Sequence, residues 1–600
     1  MFRRPFRRRS AIAGASFDKP VFAQPYCPLE VLAERTGVQA TESLFVEVPD
    51  VGKTAAALVR FLRDGEGERA LKKAAHILIE ERMRCMAVTL DDPRNTGLDR
   101  LNVDPRPTPL DAHCARELGK AAGFDAAAGL SSRGWALRLP IKDRIALRFR
   151  TAAAAVFVMW RALSILVRRG ARSVEPHRTT ALVANFWGAD QFECLAEAVR
   201  DAGFATDRRI TLLIERRQPL PRHGFAHLHP ESLRVPARPW IVEALGPTWR
   251  LALAALPGVL RLRDESVWAA FESLRIASGA LEVWPVALNV RCETVSDVID
   301  YLPAISVKSA IYRKIGAKLV RWPATQIDTY GSLLSNLPYD YFVSSGNYLP
   351  HAFSRNWRVP EGARPIGLVP CDKRLASATR VDPDFLRRIG ELKKNRKLLA
   401  YFGHSPETGV TPMIVSTLRA VIDVLDANPD WFLVVKSKRR LVDRKKGRTA
   451  YMDIVAAMPE FPRWADDERI VFVDYADEAR EICPSGWLVG AMDMGTGDHG
   501  SLVGECVARS RPYCSYAPIV YDTPFKEMLL EAEILVTDIE RFKLRLTEAL
   551  KGNIPRLPDE WARWAFDPYQ DDRALERLAA VILDNGRIPD CAAGSPPGQG

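Results

Sequence analysis

Residues 490–518, GAMDMGTGDHGSLVGECVARSRPYCSYAP, decide how the rest of the chain is read. The order of residue types predicts a strand end, a glycine-rich turn, a helix and a second strand. The apolar run Trp487–Val489 is expected to feed a turn that holds Gly495, Gly497 and Gly500. A helix can start near Ser501, and Pro512 ends it before a strand at Tyr513–Tyr516. Glycines let a backbone approach a ligand closely. A helix N-terminus offers free N–H groups and the positive end of a dipole, which suit phosphate. Ser501 and Glu505 are four residues apart and share one face of the helix. A polar pair on a first helical turn, at the carboxyl edge of a sheet, is suited to a nucleotide ligand.

The pattern Ser501-x-x-x-Glu505, followed seven residues later by Pro512, resembles the donor-site signature of GT-B-type glycosyltransferases. The nearest flavour is the bacterial surface or capsular polysaccharide transferases, including the CDP-glycerol glycerophosphotransferase-like families. The resemblance covers the last third of the chain well and the middle third weakly. It implies two Rossmann-like domains, with the glutamate holding ribose or sugar hydroxyls and the helix start facing a diphosphate. A plain Rossmann-like helix with a surface glutamate is the competing account.

A chain of 600 residues is expected to hold two or three domains, and an apolar content of 47% suffices for their cores. Lys and Arg outnumber Asp and Glu by 85 to 74, for a net charge of +11. Such an excess suits an anionic donor or an anionic membrane surface. No nucleic-acid-binding motif accompanies it, so a nucleic-acid partner is not expected. The ten cysteines are scattered, with no CxxC and no zinc-ligand spacing. Reduced thiols in a cytoplasmic protein fit that pattern, with peripheral contact to the inner membrane as an alternative that the basic segments offer. The basic start MFRRPFRRR has no apolar region after it long enough for a secretory signal. Gly52-Lys53-Thr54 is not a P-loop, because the position that must be glycine is Glu47.

Taken in order, residues 1–175 read as a basic lead and a helical region, with helical patterns at Ala55–Arg63 and Arg69–Arg84. Arg150–Arg169 is the most apolar stretch, and it contains Arg161. A buried core helix is expected there, since an internal arginine is costly in a membrane span. An interfacial helix with basic flanks is the alternative. Residues 176–372 form the first Rossmann-like domain, expected to bind the acceptor, with strands at Thr180–Phe186, Arg209–Glu215, Leu281–Val290, Lys318–Trp322 and Tyr341–Ser344. His223, His227 and His229 are read as a surface loop in preference to a metal site. Residues 373–389 form a connector. Residues 390–552 form the second, nucleotide-donor domain, with strands at Lys397–Phe402, Trp431–Val435, Arg469–Val473, Trp487–Ala491, Tyr513–Tyr516 and Glu533–Thr537. Residues 553–586 are C-terminal helices and residues 587–600 a disordered tail. Strands alternating with helices imply a parallel sheet in each domain, so the fold class is α/β.

Loops after the strands of an open parallel sheet converge on one edge. In the second domain that edge would gather Gly403, His404 and Ser405; Lys436 and Lys438; and Gly497, His499, Gly500, Ser501 and Glu505. Lysines and helix N–H groups suit a diphosphate, and a carboxylate suits hydroxyl groups. Asp190, Glu293 and Asp328 are candidate bases that would activate an acceptor hydroxyl. No Asp-x-Asp stands at a strand end, so no metal and no cofactor are expected, with a nucleotide sugar as substrate. The sequence departs from the resembled families in two places. Pro323-Ala-Thr replaces a segment that often holds Gln-His-Gly, and Lys436-Ser-Lys438 lacks the His and Pro of a KxHP-like segment. The expected activity is metal-independent sugar transfer to a glycan or lipid-linked acceptor of surface-polysaccharide synthesis. A CDP-alcohol polyol-phosphate transferase and a non-catalytic glycan- or partner-binding scaffold are the alternatives.

Overall fold

The computed structural model describes residues 141–184, 189–204, 210–213, 225–261, 264–299, 311–312, 316–323, 340–347, 363–378, 380–403, 411–436, 451–473, 482–498, 502–517 and 526–584, with the short pieces 100–101, 125–126 and residue 588. The helical patterns expected at Ala55–Arg63 and Arg69–Arg84 lie outside the described residues. So does the stretch 324–331 after Pro323.

Helix α1 (Ile141–Arg169) comes first. The first sheet begins with β1 (Ala181–Val183), α2 (Ala189–Asp201), β2 (Ile210–Leu213) and β3 (Ala226–Leu228). Two long helices, α3 (Gly246–Arg261) and α4 (Asp264–Asn289), then interrupt it. It resumes with β4 (Thr294–Ile299), β5 (Lys318–Pro323), β6 (Tyr341–Ser344) and β7 (Ala363–Pro365). The spatial order is β7-β6-β5-β4-β1-β2-β3, with every pairing parallel. A parallel sheet needs covered faces, and these strands are accordingly apolar runs.

The expected strand Leu281–Val290 is instead the last part of α4, with Val290 just after it. Leu281, Val283, Trp284, Val286, Ala287 and Val290 are all buried. An apolar run buried on every side carries no periodicity to tell a helix from a strand. Pro285 is accommodated near the helix end, where the Asn289 side-chain amide donates to the Pro285 carbonyl at 2.7 Å and to that of Arg234 at 2.5 Å.

Helix α1 is half core and half surface, which corrects the expectation of a buried helix. Thr151, Ala155, Val158 and Ala162 form its buried side, at helical spacing. That side packs against α3 and α4. Arg161 belongs to the packed region: its guanidinium pairs with Glu282 at 2.9 Å and donates to the Ser278 carbonyl at 3.1 Å. The opposite side is exposed and apolar, with Phe149 at 74% and Val167 at 76% exposure.

A helix at Lys373–Ala378 and helix α5 (Pro383–Lys393) connect the sheets. Asp382 caps α5 by accepting from the Asp384 and Phe385 amides at 3.0 and 3.2 Å, and Pro383 fills the first helical position, where no amide is needed. The second sheet comprises β8 (Lys397–Phe402), β9 (Trp431–Lys436), β10 (Ile470–Val473), β11 (Met494–Asp498), β12 (Tyr513–Tyr516) and β13 (Leu535–Val536). Between its strands lie α6 (Thr411–Asp426), α7 (Ser485–Ala491) and α8 (Leu502–Ala508). The spatial order is β10-β9-β8-β11-β12-β13, again all parallel. Numbered within each sheet, both orders begin 3-2-1-4-5-6, the doubly wound Rossmann arrangement. The fold is therefore the expected α/β, GT-B-like class with two Rossmann-like sheets.

The expected strand Trp487–Ala491 is helix α7, and the glycine-rich Met494–Asp498 is itself the fourth strand of this sheet. Glycine ordinarily signals a turn. Here packing demands it: a Cβ on Gly495 would lie 2.6 Å from the Tyr513 ring, and Gly497 has φ +144° with its Cβ position 2.4 Å from the Phe402 carbonyl.

After the second sheet come α9 (Ile539–Leu550), α10 (Asp559–Phe566) and α11 (Ala574–Leu583). The last helix returns to the first sheet. Leu575, Leu578 and Ile582 pack with Ala181, Val183 and Leu195, and the Thr294 hydroxyl donates to the Ile582 carbonyl at 2.6 Å. Arg374 anchors this return. It is buried and pairs with Glu576 at 2.6 Å, with Asp372 at 3.5 Å and with Asp201.

Candidate functional site

In an open parallel sheet, ligands bind beyond the carboxyl ends of the strands where the order reverses. In the second sheet that place lies between β8 and β11. Phe402 pairs in register with Gly497 on one side and with Lys436 on the other. The ends of three strands thus meet at Gly403, Lys436 and Gly497, and the Gly403 amide donates to the Lys436 carbonyl at 3.3 Å. Lys436 is buried, at the last position of an apolar strand. Gly403 has a packing reason of its own, since a Cβ there would sit 2.3 Å from the Tyr451 ring.

His404, Ser405, Lys438, His499, Gly500 and Ser501 lie outside the described residues. Helix α8 starts at Leu502, so Glu505 falls in its first turn as expected. Glu505 is not the solvated helix carboxylate of the plainer account; it is 6% exposed. Its Oε1 lies 3.4 Å from the Arg509 guanidinium and makes no hydrogen bond among the described residues. Burial pushes the carboxyl above its ordinary value, and the charge of Arg509 opposes that shift.

Arg509, which the sequence reading did not single out, holds the surroundings of Glu505 together. Its Nη2 donates to the Pro370 carbonyl at 2.9 Å, its Nη1 to the Gly486 carbonyl at 3.1 Å, and its Nε to Cys371 Sγ at 2.9 Å. Pro370 and Cys371 belong to the turn after β7 of the first sheet, while Gly486 lies in α7. Glu505 therefore sits at the seam between the two sheets. Burial pushes the Cys371 thiol up to about 12, so it stays protonated beside the guanidinium.

In the first sheet the order reverses between β1 and β4. Val183 pairs in register with Ser296, and the Ala184 amide donates to the Ser296 carbonyl at 2.8 Å. The Ser296 hydroxyl is buried and has no hydrogen-bond partner among the described residues. Only the switch-point topology identifies it; nothing in the sequence around it does. Asp190 lies in the first turn of α2, after the carboxyl end of β1, on the same edge. Glu293 does not join it. It is exposed and stands just before Thr294, at the amino end of β4, because Leu281–Asn289 is helix and the strand begins only after it. The opposite edge of the sheet cannot serve the same crevice, so Glu293 is removed as a candidate base. Asp328 lies outside the described residues. Of the histidines, His227 is exposed on β3 beside His229, their rings 5.6 Å apart, and His223 lies outside the described residues.

No family model matches the sequence, and no curated protein matches it. Solved structures resemble it at low identity. A Staphylococcus aureus MnaA–UDP structure is 13% identical with a TM-score of 0.39, covering 68% of this chain and 96% of its own. A Methanocaldococcus jannaschii UDP-GlcNAc 2-epimerase with UDP-GlcNAc and UDP is 10% identical with a TM-score of 0.41, covering 68% and 100%. The wall teichoic acid polymerase TagF with CDPG is 9% identical with a TM-score of 0.35, covering 74% and 98%. At such identities and scores these likenesses say nothing of this chain's chemistry.

What the geometry offers is specific. At the β8–β11 reversal stand a buried lysine at a strand end and glycines at the two neighbouring strand ends, and the helix that follows β11 carries a buried carboxylate near the sheet seam. The other reversal presents a buried hydroxyl on β4, in register with the strand that leads into the helix carrying Asp190. Among the described residues no group of three or more His, Cys, Asp or Glu is placed to hold a metal ion.

Proposed function

We propose that this protein transfers a sugar from a nucleotide-sugar donor to a glycan or lipid-linked acceptor. The observation that carries the reading is the pair of parallel sheets of matching strand order, each with its polar groups at the reversal of that order. In this reading the donor occupies the β8–β11 crevice. Lys436 meets its phosphate charge, the N-terminal turn of α8 lies beside the diphosphate, and Glu505 accepts hydrogen bonds from sugar or ribose hydroxyls. The acceptor lies over the β1–β4 crevice, where Asp190 is the candidate base that takes the hydroxyl proton. The hydroxyl oxygen then attacks the anomeric carbon, and the nucleoside diphosphate leaves with the bonding pair. The leaving charge is met by protein cations and dipoles, so transfer proceeds without a metal ion.

A CDP-alcohol would use the same crevice with a different transferred group. A panel of nucleotide sugars and CDP-glycerol, read by thermal shift and then calorimetry, separates the two, since a ligand of the folded state raises apparent stability. A nucleotide sugar that raises the melting temperature and is consumed with an acceptor supports sugar transfer. Binding of CDP-glycerol alone replaces that reading with polyol-phosphate transfer. Failure of every nucleotide to bind overturns both and leaves the scaffold alternative.

A further inference from the structure

The exposed side of α1 is a continuous apolar stripe. Ile145, Phe149, Val156, Trp160, Leu163 and Val167 are each 41–76% exposed and recur at helical spacing, and the small Ala152 and Ala153 lie between Phe149 and Val156. The section Ile145–Arg169 is long and apolar enough to cross a membrane, its most apolar 18-residue window having mean hydropathy 1.5, yet only 22% of that window is buried. Its other side packs on α3 and α4, where Arg161 is tied to Glu282 and Ser278. Helix α3 adds exposed Trp249 and Leu253.

Charge indicates what this stripe meets. From Ile145 to Arg172 the chain carries Arg148, Arg150, Arg161, Arg168, Arg169 and Arg172 and no acidic residue. Arg150 stands exposed near one end of the stripe, and Arg168 and Arg172 near the other. Extended by a turn at either end, residues 141–175 add Lys142 and Arg144 and the acidic Asp143 and Glu175, so eight basic residues stand against two acidic ones. An apolar strip with aromatic rings and a strong excess of positive charge toward its ends is complementary to a bilayer surface rich in anionic lipid. A specific protein partner would call for polar groups to fix its register, and the stripe offers none. We propose that α1 docks this protein onto an anionic membrane surface, lying in the interface with Phe149, Val156, Trp160 and Val167 inserted. Nothing in this inference depends on the reaction catalysed.

The test is sedimentation of the full chain with vesicles of phosphatidylcholine containing phosphatidylglycerol, against vesicles of phosphatidylcholine alone. The wild type should sediment with the anionic vesicles and be released by high salt in part, since the apolar contacts persist. A Phe149→Gln, Val156→Gln, Val167→Gln variant alters only exposed positions. It should keep the melting temperature and lose vesicle binding roughly tenfold or more. An Arg150→Glu, Arg168→Glu, Arg172→Glu variant should lose the preference for anionic lipid. The proposal is overturned if the wild type stays in the supernatant, as it would with the stripe covered by residues 1–140. It is also overturned if the glutamine variant binds vesicles as the wild type does, or if that variant instead dissociates a dimer that shows no lipid binding.

Discussion

Arg509 Nη2 donates to the Pro370 carbonyl at 2.9 Å, so a helix of the second sheet is fastened to the turn that leaves the first. The same guanidinium reaches Gly486 in α7 and lies 3.4 Å from Glu505. One side chain thereby ties the turn after the first sheet, helix α7 and the Glu505 carboxylate to one another.

Replacing Arg509 with alanine leaves the Pro370 and Gly486 carbonyls without this donor and Glu505 without its cation. A cost of about 3 kcal/mol is expected, in the range for breaking a buried pair. Arg509→Lys should recover little, because one ammonium cannot reach three acceptors set for a planar fork. Urea unfolding of the three proteins measures this, and a loss within experimental error for Arg509→Ala would rule out the fastening role.

Glu505→Gln preserves size and removes charge. If Glu505 holds donor hydroxyls, the dissociation constant of the best nucleotide ligand should rise about tenfold, one charge-assisted bond being worth about 1.5–3 kcal/mol. Melting temperature should change little, since an amide is cheaper to bury than a carboxylate. Equal affinity at equal stability would take Glu505 out of the donor site.

The same variant tests the proton balance. Burial raises the Glu505 carboxyl above its ordinary value, with Arg509 pulling the other way. The folded protein thus keeps this proton to higher pH than the unfolded chain. The stability it contributes is complete below the ordinary glutamate value and is lost as pH climbs from there to the raised value. Glu505→Gln lacks that loss, so its stability should gain on the wild type across that window. Parallel stability–pH curves for the two proteins would show that the carboxyl does not titrate with folding.

Gly403→Ala should cost about 1–3 kcal/mol, because its Cβ would fall 2.3 Å from Cε2 and 2.7 Å from Cζ of Tyr451. Tyr451→Phe should bring no relief, since the clash is with ring carbons. Tyr451→Val should relieve it, so the double variant should be more stable than the sum of the single losses allows. Strict additivity in a double-mutant cycle would show that the glycine serves something other than this packing.

The strands Lys397–Phe402, Trp431–Lys436, Ile470–Val473 and Tyr513–Tyr516 were legible because each is a short apolar run closed by polar or turn-forming residues. Their alternation with helices was enough to give two parallel sheets. The first turn holding Glu505 was legible from the glycines before it and Pro512 after it. Two runs misled. Leu281–Asn289 and Trp487–Ala491 are helices, and each is too short or too evenly apolar to carry a period. The first error moved Glu293 to the wrong edge of its sheet.

By itself the sequence determined the α/β class, the alternation of strands with helices and the position of Glu505 on its helix. These depend on neighbours in the chain: periodicity, caps and turn formers. Only the tertiary structure decided that Met494–Asp498 is a strand, because Gly495 and Gly497 answer to Tyr513 and Phe402 on other strands. It alone placed Arg509 against Pro370, set Ser296 at a reversal of strand order, returned α11 to the first sheet and left one side of α1 bare. Each of these is a contact, or a missing contact, between residues far apart in the chain, and local pattern carries no record of such distances.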